Sequence, residues 1–289
     1  MSVEAGPRSI GEGQALSLFD PSSYARAAPS GPLARVRLTL AYDGSEFHGF
    51  AEQPGLPTVA GRLSAALERV LGHGVDVVGA GRTDRGVHAW GQVVSFDVAQ
   101  AALGRVGLEG VRRRLNKLCG PQLSVREVLV ADDGFSARFS ATSRRYRYSL
   151  VNRPVPNPFL QAYAWWVPEP LSLRAMQAGA DVLLGEHDFS SFCRRPKGER
   201  GPELSLRRRV LDTAWSEPEE GLLRFEIEAS AFCHQMVRSI VGTLVAMGRG
   251  DRRPGQMLTI LKAQDRAAAS QIAPPHGLCL WQVRYQEPR

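Results

Sequence analysis

From Ala34 to Tyr42 the apolar residues Val36, Leu38, Leu40 and Tyr42 fall at every second position, the period of a strand with one buried face. Asp43 and Gly44 supply the turn after it. Thr58 offers a hydroxyl to cap a helix whose apolar positions, Val59, Leu63, Ala66, Leu67 and Val70, recur at helical spacing as far as Gly72. The pattern then predicts strands over Val75 to Val78 and Gln92 to Phe96, a helix over Leu103 to Leu118, and a strand over Ser124 to Val130. From Arg144 the order repeats loosely. Tyr146, Tyr148 and Leu150 alternate in a strand, and Ser172 caps a helix carrying Leu173, Met176, Ala180, Leu183 and Leu184. Strands follow over Arg209 to Trp215 and Leu222 to Ala229, then a helix from about Phe232 to Met247, a shorter one begun by Pro254, and a last strand from Cys279 to Tyr285.

Strand, helix, strand, strand, helix, strand is the split βαβ pattern. The expected class is therefore α+β: two ferredoxin-like halves, residues 33–143 and 144–289, with antiparallel sheets side by side around a central cleft. Residues 1–32 mix Gly, Ser, Pro and acidic residues without an apolar core and read as a disordered extension, not a signal peptide.

Charge narrows the partner. The 289 residues carry a formal net charge of +7, and the arginines gather at 112–114, at Arg144, Arg145 and Arg147, at Arg194 and Arg195, and at 207–209, which suits phosphate contacts. No apolar stretch is long enough to span a bilayer. The four cysteines, Cys119, Cys193, Cys233 and Cys279, show neither CxxC pairs nor the density of a secreted scaffold, and fit reduced thiols in a cytoplasm.

The chemistry concentrates in Gly79 to Phe96, GAGRTDRGVHAWGQVVSF, which packs Arg82, Asp84, Arg85 and His88 among glycines between two expected strands. A tight hairpin with Asp84 capping its own turn explains an Asp beside Gly, but not an Arg two residues away, whose side chain in an extended segment faces the same way. Such an Arg would hold a carboxylate ionised and would also attract a phosphate. A dinucleotide fingerprint fails, because the third glycine falls at Gly86 and a strand follows instead of a helix. His88 and His234 have no companion at metal-ligand spacing, so a structural or RNA-contacting role is expected for each.

GRTDRGVHA followed by GQVVSF closely resembles the catalytic motif of the TruA-type tRNA pseudouridine synthases. The resemblance continues in order through AYDGSEFHGF (41–50), FSARFSATSRRYRYSL (135–150), LLGEHDFSSF (183–192), AFCHQMVRSIVG (231–242) and GLCLWQV (277–283). It implies that Asp84 is the nucleophile, Arg82 its partner and Tyr146 the aromatic residue packed on the target base. Arg238, in HQMVR, is a further active-site charge, because an Arg within an apolar helix needs an acidic or phosphate partner. Leu278 and Leu280 form apolar walls, and Arg144 and Arg145, flanking Tyr146, align phosphates. The implied reaction turns uridine into pseudouridine in the anticodon stem-loop of tRNA, positions 38–40, in a cytoplasmic homodimer bridged by its substrate. The isomerisation is redox-neutral, so neither metal nor nicotinamide is required, and one carboxylate can act as covalent nucleophile toward ribose or uracil. The detached uracil must be held and turned, which asks for a closed apolar site.

The chain departs from the family pattern at Gly49, Phe50 and Ala51, where GWQ is usual, at Thr58, Val59 and Ala60, where TVQ is usual, and at Cys279. These changes bear on substrate choice more than on the nucleophile. Two other readings stay open at this point: an RNA-binding module without catalysis, and a hydrolase releasing uracil with Asp84 as one of two carboxylates.

Overall fold

The computed structural model describes residues 28–194 and 205–286, so most of the expected N-terminal extension and Arg195 lie outside the described residues. The alternation in the first segment forms strand β1 (Leu33–Tyr42), burying Val36, Leu38, Leu40 and Tyr42. Thr58 caps helix α1 (Val59–Leu71) by accepting the Gly61 N–H at 3.2 Å, and Gly72 ends it in the left-handed region. Val75 to Val78 does not form the expected strand: only a two-residue strand, β2 (Val78–Gly79), pairs with β3 (His88–Ala99), which runs longer in both directions than its apolar core suggested. The expected second helix is two, α2 (Gln100–Val106) and α3 (Leu108–Cys119), because Gly107 sits at φ 71° and breaks the helical path. Strand β4 (Leu123–Val130) follows.

The remainder of the chain contributes β5 (Ala141–Val151), β6 (Trp165–Trp166), α4 (Leu173–Asp181), capped by Ser172, β7 (Gly185–Asp188), β8 (Arg207–Glu219) and β9 (Leu222–Ala229). Helices α5 (Met236–Arg249) and α6 (Gln256–Ala263) and strand β10 (Leu278–Tyr285) complete it. The expected α+β architecture is present as one sheet ordered β4-β1-β3-β10-β5-β9-β8-β7, with β2 and β6 off the path. Its joint is β10, which runs parallel to β3 through Cys279 and Leu280 and antiparallel to β5 over most of its length. Residue 143, drawn from sequence as the end of the first half, lies inside β5.

The sheet has two unlike faces. One buries Leu38, Val94, Tyr146, Tyr148, Phe225 and Ile227 in the hydrophobic core. The other is a lattice of arginines, carboxylates and rings: Arg35 on Asp97, Arg37 on Glu127, Arg126 over Trp90, Trp90 stacked on Trp281, and Arg147 over Trp281 and on Glu226. Period-2 alternation produces this split, since neighbouring residues on a strand face opposite ways.

Helix α5 reaches the centre of the molecule because Gly242 lets the backbone at Gln271 pass against it; a methyl group there would overlap the Gln271 carbonyl. The same stretch, two residues on, holds α5 through the Ala273 N–H, donated to the Arg238 carbonyl at 3.1 Å. We expect Gly242→Ala to cost about 2–3 kcal/mol of stability, read from urea unfolding, and a variant as stable as the wild type would show that the 271–273 stretch is free to shift.

Candidate active site

The segment from Ala80 to Val87 is a loop, not an extended strand, and it is held from below. The Ala80 N–H donates to Val93 O (2.8 Å), Gln92 Nε2 to Gly81 O (2.7 Å), and the Phe50 N–H to Thr83 O (3.0 Å). Thr83 Oγ1 and the buried Tyr42 hydroxyl share a hydrogen bond at 2.8 Å. Phe50, one of the departures from the family pattern, is buried with its ring directly under Gly79. It supports the loop instead of lying on a path for RNA.

Thr83 is buried between two outward residues, so Asp84 and Arg82 both leave the core, yet they do not pair. Arg82 is exposed and makes no ion pair among the described residues. The cation on Asp84 is Arg238, its Nη1 3.2 Å from Asp84 Oδ2, with the two side chains 12% and 24% exposed. Arg238 is in turn aimed by Ala273, whose carbonyl accepts from its Nε at 2.8 Å. The sequence expectation of a neighbouring Arg82 as partner is thus replaced by an arginine 154 residues away. Asp84 Oδ1 faces His234 Nε2 at 3.3 Å, and His234 is 46% exposed. Sequence reasoning left His234 without a place here. The signal was present in HQMVR, where His234 and Arg238 are four apart.

Tyr146 is buried beside this carboxylate, its hydroxyl near Gly81 and its ring edge-on to Phe232 at 5.0 Å. Burial pushes the Tyr146 hydroxyl well above the ordinary tyrosine range, and the nearby Tyr42 and Asp84 add to the shift, so it stays protonated. Leu280 pairs with Tyr146 across β10 and β5, and Leu278 with Tyr148, so both leucines share the face of Tyr146. Cys279 points to the opposite face, beside Arg147. Asp84 therefore stands at the rim of an apolar wall, open on one side to solvent and not enclosed.

The arginines expected to align phosphates are engaged within the chain. Arg144 donates to the carbonyls of Ala80, Arg138, Ala141 and Ser230, tying the loop before Asp84 to the strand of Tyr146. Arg145 lies on the arginine-rich face against Glu228 (2.7 Å), Glu226 (3.1 Å) and Asp212 (3.2 Å). Alternation explains Arg145, the neighbour of a core-facing Tyr146, which turns to the other face of the sheet; Arg144, two residues from Tyr146, shares its face, and there backbone carbonyls take up its donors. Among the described residues, the cations without a carboxylate partner around Asp84 are instead Arg82 and Arg85 on its own loop, Arg138, whose carbonyl meets Arg144, and Arg194, whose N–H donates to His234 O at 3.0 Å. His88 is structural. Its Nδ1 meets the Gly44 N–H at 3.1 Å and Asp43 Oδ1 at 3.2 Å, and its Nε2 faces two carbonyls, Ala162 and His276. Two of the cysteines read as free thiols, Cys193 and Cys233, are joined in a disulfide.

Comparison with known proteins agrees with this geometry. A family model described as tRNA pseudouridine synthase matches residues 39–132 and 180–286. The chain belongs to the tRNA pseudouridine synthase family. Proteins named tRNA pseudouridine synthase A are similar to it along nearly their whole length: 43% identity in Frankia casuarinae, covering 88% of this chain and 90% of that one. In Brevibacillus brevis the figures are 40%, 88% and 100%, and in Bacillus subtilis 40%, 87% and 99%. As a member of the family the protein is an isomerase. No helix among the described residues is long and apolar enough to cross a membrane.

The partners of Arg145 make a test of the sheet. Burial pushes the Glu228 carboxyl up, but hydrogen bonds from Ser143 and Arg145 and the charges of Arg145 and Arg284 outweigh it and hold the group below its ordinary value. A carboxylate depressed in the folded state stabilises the fold above its unfolded pKa and loses that contribution as pH falls through the folded value. Glu228→Gln is expected to lower stability at pH 7 by on the order of 2 kcal/mol and to flatten the loss below about pH 4.5. Urea unfolding at stepped pH reads both, and parallel acid limbs in the two proteins would contradict the assignment.

Proposed function

We propose that Asp84 is the nucleophile of the uridine isomerisation and that the target uridines lie in the anticodon stem-loop of tRNA, at positions 38–40. The observation that carries the reading is the Asp84 carboxylate, held at one oxygen by Arg238 and flanked by the buried ring of Tyr146. The N1–C1′ bond breaks with its electron pair going to the base. The base turns, C5 bonds to C1′, the C5 proton is lost and N1 gains one, so no net oxidation occurs. A carboxylate fixed by a guanidinium is held in one orientation for attack. The reading leaves open whether Asp84 attacks the sugar or the ring.

Tyr146, Leu280 and Leu278 form the apolar wall against which the extracted base turns, as an enzyme acting on a base must first unstack it. Arg82, Arg85, Arg138 and Arg194 take the phosphates around the target nucleotide, a role that their exposure and lack of carboxylate partners support. The protein works in the cytoplasm as a homodimer, as the family resemblance implies. Light scattering on the purified protein should then give twice the chain mass of 31.6 kDa, and a mass of one chain at micromolar concentration would remove the dimer from the proposal.

Carbodiimide mapping of a tRNA transcript tests the chemistry. Asp84→Asn should bind the transcript yet lose at least ~10³-fold in conversion. Arg238→Met should lower kcat, and Arg82→Ala should chiefly raise KM, by about tenfold. An Asp84→Asn protein that still converts these uridines would exclude the nucleophile, and free uracil in the supernatant would point to the hydrolase instead.

A further inference from the structure

The disulfide lies inside the run of chain that serves Asp84. Cys233 stands between Phe232, whose ring meets Tyr146, and His234, whose Nε2 is 3.3 Å from Asp84 Oδ1. Cys193 closes the 3₁₀ turn Ser190–Phe192, and the next residue, Arg194, donates its N–H to the His234 carbonyl. The two Cα atoms are 5.8 Å apart, well within what a disulfide spans. Residues 231–235 are neither helix nor strand, so few backbone bonds hold them. The other cysteines are poor competitors for oxidation: burial pushes the Cys119 thiol up to about 11 and the Cys279 thiol up to about 12.

At Asp84 the two carboxylate oxygens are guarded differently. Oδ2 faces Arg238, which is largely buried and fixed to Ala273. Oδ1 faces His234, on the exposed side, so a nucleotide reaching the carboxylate must move His234 aside. We propose that Cys193 and Cys233 are a reversible thiol–disulfide site, at which a small organic disulfide of the glutathione type tethers His234 over Asp84 and slows the enzyme. The proposal rests on the reading of Asp84 as nucleophile. The half-buried Cys233 thiolate attacks one sulfur of the small disulfide and releases one thiol. The buried Cys193 thiolate then attacks the Cys233 sulfur and releases the second. Two protein thiols are oxidised, one small disulfide is reduced to two thiols, and the two protons lost from the protein end on the released thiols. In the reduced protein the 231–235 segment can swing; in the oxidised protein the 3₁₀ turn anchors it.

The experiment equilibrates the full-length protein with oxidised and reduced glutathione at graded ratios. Free thiols are then alkylated, and the linked peptides of Cys193 and Cys233 are quantified by mass. Initial rates of pseudouridine formation and amide deuterium exchange over residues 231–236 are measured on the same samples. As the linked fraction approaches completion the rate should fall roughly fivefold or more and exchange should slow, with dithiothreitol reversing both. Cys233→Ser, which removes the thiol that attacks first, should keep the reduced-state rate at every ratio, and if that variant fails to fold, the dithiothreitol reversal carries the same test. No linked peptide, or full activity with unchanged exchange in the linked form, overturns the proposal. If the reduced protein fails to convert tRNA at all, the nucleophile reading falls, and the exchange difference still decides whether the bond tethers this segment.

Discussion

An ionised carboxylate at the edge of an apolar wall costs free energy unless a fixed cation faces it. At Asp84 that cation is Arg238, and its position depends on parts of the chain far from the motif. Ala273 donates to the Arg238 backbone and accepts from its side chain, so the guanidinium is aimed by two bonds before any substrate arrives. That contact exists because α5 and the 271–273 stretch pass closely at Gly242, and because β10, which follows, inserts between β3 and β5. The central strand thus joins the sheet and sets Leu280 beside Tyr146 in one step. Preorganisation of this kind lets the site act on a charge-developing reaction without rearranging at the moment of reaction.

The arginines divide into two populations with different physical roles. On the helix-free face they are neutralised by Asp97, Glu127, Glu226 and Glu228 or spread over aromatic rings, and there they fasten strands to one another. Around Asp84 they stand exposed without carboxylates among the described residues, on the loop of Asp84 itself and on the loops that meet it. Of these two groups the second is the one available to a polyanion, since a guanidinium already bonded to two carboxylates has little left to give a phosphate. Net charge alone does not distinguish the two.

His234 introduces an asymmetry at the Asp84 carboxylate. One oxygen is held by a buried, doubly fixed arginine and the other by a half-exposed histidine on an irregular segment. The site is therefore rigid on the side of Arg238 and soft on the exposed side of His234. The disulfide next to His234 joins that soft side to the 3₁₀ turn at Ser190–Phe192.

Local pattern was enough for most of the elements and for the segment that carries Asp84. Strand alternation in β1, β5 and β9 and the cap at Thr58 are short-range effects of side-chain direction and backbone hydrogen bonding, and a single sequence carries them in full. The glycine-rich run around Asp84 likewise advertised its chemistry. Tertiary structure decided what long-range contacts alone can decide. Of the run Val75 to Val78, only Val78 found a partner in β3. The cation on Asp84 came from residue 238 and not from residue 82, and Arg144 and Arg145 turned to backbone carbonyls and carboxylates. In each case the sequence held the residue, but its partner lay on a segment brought near only when the sheet closed around β10, and no periodicity along one strand encodes a contact between distant ones.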